Sequence, residues 1–136
     1  MSEHLVKAYN SLSTSFTRGE GIYLWDSEGK RYLDALCGIS VTNLGHNYPA
    51  VTEAIQQQAS TLLHTSNIYS IEWQQKLANL ICEVSGMDRV FFGNSGAEAN
   101  EAAIKVARLY GHSQGNSDPH IIVMNNSFHG RTMATL

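Results

Sequence analysis

The sequence holds 136 residues with 9 basic and 12 acidic side chains, a net charge of −3, and 43% apolar against 15% charged residues. That balance belongs to a folded chain and excludes intrinsic disorder, which needs fewer apolar residues and more charge. The length suits one domain with a core, makes a complete large enzyme doubtful, and no basic run offers a nucleic-acid footprint.

Met1-Ser2-Glu3-His4 lacks the basic start and apolar run of a signal peptide. No later run approaches the ~18 apolar residues that span a bilayer, so a cytoplasmic location is expected. Ile22 to Trp25 and Lys30 to Leu36 are aromatic and β-branched runs separated by Asp26-Ser27-Glu28-Gly29, and predict a hairpin. Cys37 and Cys82 are isolated, with no CxxC or HExxH spacing, and suggest neither a disulfide framework nor a metal site. Gly38 to His46 carries glycines near both ends and little periodicity, as a close-packed connecting loop would.

Helical spacing then begins. Asn47 is the expected N-cap of a first helix, with Pro49 in its first turn and Val51, Ile55, Ala59, Leu62 and Leu63 on one side. After the polar loop His64 to Asn67, Ser70 opens a second helix with the stripe Trp73, Leu77, Leu80, Ile81 and Val84, stopped by Gly86. Val90-Phe91-Phe92 and Ile121-Ile122-Val123-Met124 read as buried strands on either side of a third helix carrying Ala99, Ala103, Val106, Ala107 and Tyr110. Strand, helix, strand predicts a right-handed crossover between parallel strands.

Ser95-Gly96-Ala97-Glu98, at the start of that third helix, fits a capping box. The Ser95 side chain accepts from the Glu98 amide and the Glu98 side chain returns to the Ser95 amide. The amides of Gly96 and Ala97 are then left over beside residues too small to exclude an anion, which is a ready phosphate site. The bland alternative is a well-capped helix whose spare amides meet water. A hydrolytic alternative takes Ser95 as nucleophile of a degenerate Gly-x-Ser-x-Ala elbow with His129 as base. A third is a phosphate-binding module without catalysis.

Asn126 to Thr132 follows the last apolar run, and in parallel α/β sheets ligands collect at the carboxyl ends of strands. Phe128 there can lie against a planar cofactor and Arg131 can fork a carboxylate. Read blandly, Phe128 is a core anchor and Arg131 a solvated residue. His46 and His129 read as hydrogen-bonded structural residues rather than bases.

Taken in order, Trp25-Asp26, Gly29, Tyr32-Leu33-Asp34, Gly38-Ile39, Leu44-Gly45-His46, His64 to Tyr69, Phe91 to Glu101 and Ser127 to Thr132 resemble the N-terminal part of the class III, PLP-dependent aminotransferases. The resemblance runs through nearly the whole chain, and implies an α/β chain, the N-terminal portion of a fold type I PLP-dependent transferase. A small β-rich segment, residues 1–46 of the small domain, would precede the first βαβ crossover of the large PLP-binding domain, residues 47–136. It further implies that Gly96 and Ala97 hold the phosphate of pyridoxal 5'-phosphate, that Phe128 stacks on the pyridine ring, and that Arg131 binds the substrate α-carboxylate.

The likeness is nearest to members that move the δ-amino group of N-acetylornithine to 2-oxoglutarate in arginine biosynthesis, with ornithine or another ω-amine as the alternative donor. It implies a homodimer with the active site at the interface. The family's Schiff-base lysine comes later in the chain, so Lys7, Lys30, Lys76 and Lys105 do not match it. The family's aspartate for the pyridine nitrogen is likewise expected later, and Asp26, Asp34, Asp88 and Asp118 match no such motif. The expectation is therefore a truncated segment, about the first third of the enzyme and inactive alone.

Overall fold

The computed structural model describes residues 4–6 and 8–136. Met1, Ser2, Glu3 and Lys7, which entered the reading of the N-terminus and of the lysines, lie outside the described residues. Two compact units succeed each other, Met1–Ser66 and Asn67–Leu136.

The first unit holds an antiparallel sheet of three strands, β1 (Phe16–Glu20), β2 (Tyr23–Asp26) and β3 (Arg31–Leu33), in the order β1-β2-β3. The predicted hairpin is β2–β3. Its turn is built on Asp26, whose Oδ1 accepts from the amides of Glu28 at 3.0 Å and Lys30 at 2.9 Å, while Oδ2 accepts from the Tyr32 hydroxyl at 2.8 Å. Desolvation works against the Asp26 charge, but the Tyr32 hydroxyl and the two amides outweigh it and lower the Asp26 pKa. Gly29 supplies the positive φ of 81° that the turn needs. Trp25 faces Arg18 on one side and Arg31 on the other, and the Arg18 guanidinium lies 4.3 Å from the Trp25 ring.

The expected second strand, Lys30 to Leu36, is shorter than predicted: the Asp34 amide still donates to the Ile22 carbonyl at 2.8 Å, but its side chain opens the next turn. Its Oδ1 accepts from Leu36 N at 3.0 Å and Cys37 N at 2.8 Å, and this fixes α1 (Cys37–Ser40), a single tight turn. Cys37, Gly38, Ile39 and Ser40 have φ of 44°, 65°, 60° and 62°. Left-handed backbone is strained for a β-branched residue such as Ile39.

His46 closes the loop. Its backbone exchanges two hydrogen bonds with Gly21, at 2.9 and 2.8 Å, and its Nε2 lies 2.6 Å from Asp34 Oδ2. Strand β1 was not anticipated, and Gly19 within it has a reason to be glycine. A Cβ there would come within 2.7 Å of the His46 ring.

Helix α2 (Pro49–Thr61) has Pro49 at its start as predicted, but Asn47 is not its cap. Asn47 sits in left-handed backbone with φ 52° and its Oδ1 accepts from the Thr52 hydroxyl, so Tyr48 occupies the cap position without a side-chain bond. Leu62 is already extended and lies outside the helix.

The second unit contains α3 (Glu72–Ser85) and α4 (Gly96–Ser113). Ser70 does not open α3. Ile71 stands at the cap position, and Ser70 Oγ accepts instead from Gln75 Nε2 at 2.6 Å. Gly86 ends α3 with a left-handed φ of 71°, as expected.

The segments 90–92 and 121–124 are not strands here. A strand persists through ladder bonds to a partner, and among the described residues neither segment has one. The predicted crossover therefore consists of its helix and two unpaired flanks. Nor does the expected core close: Pro119 is the one buried apolar side chain among the described residues, and the stripe residues Leu77 and Leu80 keep about half their surface exposed.

Candidate functional site

The path of the chain around α4 creates the site. Gly115, with φ 82°, reverses the chain after the helix. Gly111 then allows Pro119 to pack so closely that a Cβ at 111 would lie 2.5 Å from the proline ring. Arg108 Nη1 donates to the Pro119 carbonyl at 3.3 Å. From here the chain returns toward the helix start, reaching Asn100 with His129 and Ala97 with Gly130. Between Ala97 and Gly111 the helix rises ~21 Å, a distance that about six or seven extended residues recover at ~3.3 Å each. The 126–131 loop thus meets the N-terminus of α4 even though no sheet directs it there.

At that N-terminus Ser95 is the cap. It is extended, with φ −151° and ψ 162°, and its Oγ accepts from Glu98 N at 3.2 Å. Half of the predicted capping box is present. The return bond goes elsewhere: Glu98 Oε2 accepts from Asn94 N at 2.6 Å, not from Ser95 N. The extended Ser95 moves its own amide away from the glutamate and brings the preceding one within reach. As a result three consecutive amides, those of Ser95, Gly96 and Ala97, meet no acceptor among the described residues. Together with the positive end of an 18-residue helix, they form a stronger anion cradle than the two expected donors.

Gly96, Ala97, Asn100, Phe128, His129, Gly130 and Arg131 line one depression of about 340 Å³. All four predicted ligand-holding residues, Gly96, Ala97, Phe128 and Arg131, therefore share a single site. Phe128 is 76% exposed. The Arg131 guanidinium stands 5.6 Å from its ring centre, placing a cation beside an aromatic face.

Sequence reasoning missed Asn100 and Gly130. Asn100 Nδ2 donates to the His129 carbonyl at 2.7 Å. Gly130 has φ 137°, and a Cβ there would fall 2.6 Å from Thr135 Oγ1 and 2.7 Å from Ala97 Cβ. Thr135 is itself buried, and its Oγ1 accepts from Thr132 N at 2.9 Å. A signal for Asn100 existed: it is the polar residue one turn after Ala97 on a helix face that continues through Ala103, Ile104 and Ala107.

The hydrolytic reading fares poorly. Ser95 Oγ is occupied by the Glu98 amide, its backbone is relaxed rather than strained, and no imidazole bonds to it among the described residues. The His46 ring serves the structure, as expected, through Asp34, while His129 takes part through its backbone carbonyl. None of the described lysines lines the depression. Lys76 pairs with Glu72 at 2.6 Å on α3, and Lys105 lies nine residues, or ~14 Å, along α4 from Gly96. Among the described residues no cluster of three metal-ligating side chains occurs, and no helix is long and apolar enough to cross a membrane.

The family model for class-III aminotransferases matches residues 6–136. An acetylornithine aminotransferase of Nitrosomonas europaea is 57% identical over 133 residues, covering 98% of this chain and 34% of its own length. Among solved structures, the ornithine aminotransferase of Toxoplasma gondii ME49 superposes with a TM-score of 0.91 at 31% identity, over 97% of this chain and 32% of that one. A taurine:2-oxoglutarate aminotransferase of Bifidobacterium kashiwanohense, solved with PLP and glutamate, gives 0.88 at 33% identity, over 98% and 30%. The chain spans about a third of the length of the curated relatives it matches.

Proposed function

The chain belongs to the class-III aminotransferases, and from that membership we propose that it forms the N-terminal third of an acetylornithine aminotransferase using pyridoxal 5'-phosphate. In that enzyme residues 1–46 contribute to the small domain and residues 47–136 begin the large one. The observation that carries the reading is the row of three unpaired amides at Ser95, Gly96 and Ala97, of which Gly96 and Ala97 line the same depression as Phe128 and Arg131.

The residues fit the cofactor. Its phosphate is a dianion that needs several donors and no bulky neighbours, and the start of α4 offers three amides beside a glycine and an alanine. The volume of about 340 Å³ lies at the small end of ligand pockets, as suits a single-ring cofactor. When bound, PLP supplies the electron sink for amino transfer.

This chain's own residues bind and orient. Ser95, Gly96 and Ala97 hold the phosphate, Phe128 keeps the ring flat and shielded from water on one face, and Arg131 forks the α-carboxylate of the amino acid. With that carboxylate fixed, the far amino group of N-acetylornithine can be directed to the cofactor, and 2-oxoglutarate can take the same anchor in the second half-reaction. No described lysine lines the depression, which supports a cofactor-bearing lysine supplied by polypeptide outside this sequence. The working enzyme is a cytoplasmic homodimer of arginine biosynthesis.

The reading is tested by supplying the purified 136-residue chain with PLP, N-acetylornithine and 2-oxoglutarate, alone and with the C-terminal two-thirds of the Nitrosomonas relative. No amino transfer by the chain alone and transfer by the pair is the expected result. Transfer by the chain alone overturns the assignment of the lysine. Transfer from ornithine but not N-acetylornithine by the pair overturns the assignment of the donor.

A further inference from the structure

We propose that Asn100 is a positioning residue that fixes the height of the Phe128–Arg131 loop above the tip of α4, so that the three amides and the aromatic face address one ligand. The inference rests on the reading of the depression as a PLP site, and extends it to a residue that neither holds the phosphate nor touches the ring.

The amides belong to the start of a helix and the ring to a loop 31 or more residues further on, as the sequence numbers show. Something must couple them. Asparagine is a poor helix former because its side chain competes for nearby backbone groups, yet Asn100 stands in the second turn of α4, half buried. Its Nδ2 reaches across 29 positions of sequence to the His129 carbonyl at 2.7 Å. A carbonyl only accepts, so this contact fixes which end of the amide faces the loop. It ties the side chain of an α4 residue directly to the backbone of the 126–131 loop.

The contact also falls in the right place. His129 lies between Phe128 and Gly130, and Gly130 rests on Ala97 itself. The Asn100 bond and the Gly130 contact are therefore two points of one hinge line, with Phe128 on one side of it and Arg131 on the other. Loss of the Asn100 donor removes one of these two points and leaves the packing of Gly130 as the other. The loop can then pivot, while the helix amides stay where the cap holds them.

Two probes separate these parts in the 136-residue chain. Inorganic phosphate needs only the amides, whereas PLP needs the amides and the ring. Asn100→Leu keeps the volume and removes the donor. It is expected to bind phosphate within about twofold of wild type but PLP at least about fivefold more weakly, with a diminished induced circular dichroism from the bound cofactor. Equal changes in both affinities, or none in either, overturn the assignment of Asn100 alone. A wild-type chain that binds neither probe overturns the underlying PLP reading and this assignment with it. A measurement on the wild type alone guards against misfolding of the variant. One Asn100 side-chain amide proton should exchange slowly by NMR, and rapid exchange of both overturns the proposal.

Discussion

Gly130 rests against Ala97 so closely that a Cβ on the glycine would stand 2.7 Å from the Cβ of the alanine. Real side chains do not approach that near, so the loop and the helix tip touch through the absence of a side chain.

Gly130→Ala should therefore be costly for two separate reasons, the clash with Ala97 and Thr135 and the φ of 137° that an alanine rarely adopts. We expect PLP binding to weaken by at least about tenfold, or ~1.4 kcal/mol, as read by titration of cofactor fluorescence. Unchanged affinity would mean that the loop is free to move away from the helix.

Ser95 separates capping from anion binding. Ser95→Ala removes the acceptor for the Glu98 amide and should cost about 1 kcal/mol of helix stability. The three amides survive, so phosphate affinity should change by less than about fivefold. Ser95→Asp restores a cap but places a negative charge beside the cradle, and phosphate binding should fall by more than that. Helicity by circular dichroism and phosphate titration give the two readouts, and equal phosphate affinity in the Ala and Asp variants would refute the cradle.

Asp34 gives a dependence on pH. Its contact with the His46 ring, then the Cys37 amide, hold its pKa below the ordinary 3.8. A carboxylate depressed in the folded chain stabilises fully above its unfolded value and loses that contribution as pH falls through the folded one. Hydrogen-exchange protection of the Gly21 and His46 amides, which pair with each other's carbonyls, should thus hold above about pH 4 and decline below it. Asp34→Asn should abolish that acid step, and an identical decline in the variant would assign it elsewhere.

What was legible in the sequence was chiefly local. The β2–β3 turn, the glycine stop of α3 and the Ser95 cap each depend on residues within four positions of one another, and each stands where the pattern puts it. The misplaced Glu98 bond shows the limit of the method, because one extended residue decides which of two adjacent amides a side chain reaches. Asn47 and Ser70 are good cap types whose oxygens found Thr52 and Gln75 instead. Segments 90–92 and 121–124 have strand composition, but pairing depends on a neighbour that composition does not supply. Asn100 and Gly130 were hidden because their partners lie 29 and 33 positions away.

The openness of the apolar faces, with no aliphatic or aromatic side chain but that of Pro119 buried among the described residues, has a thermodynamic consequence. Heat capacity and denaturant sensitivity of unfolding both scale with the apolar surface that becomes newly hydrated, and here most of it is wet from the outset. The isolated polypeptide should melt over a broad range, with a small calorimetric signal. Sharp, all-or-none melting is a property this sequence acquires only in company that dries those faces.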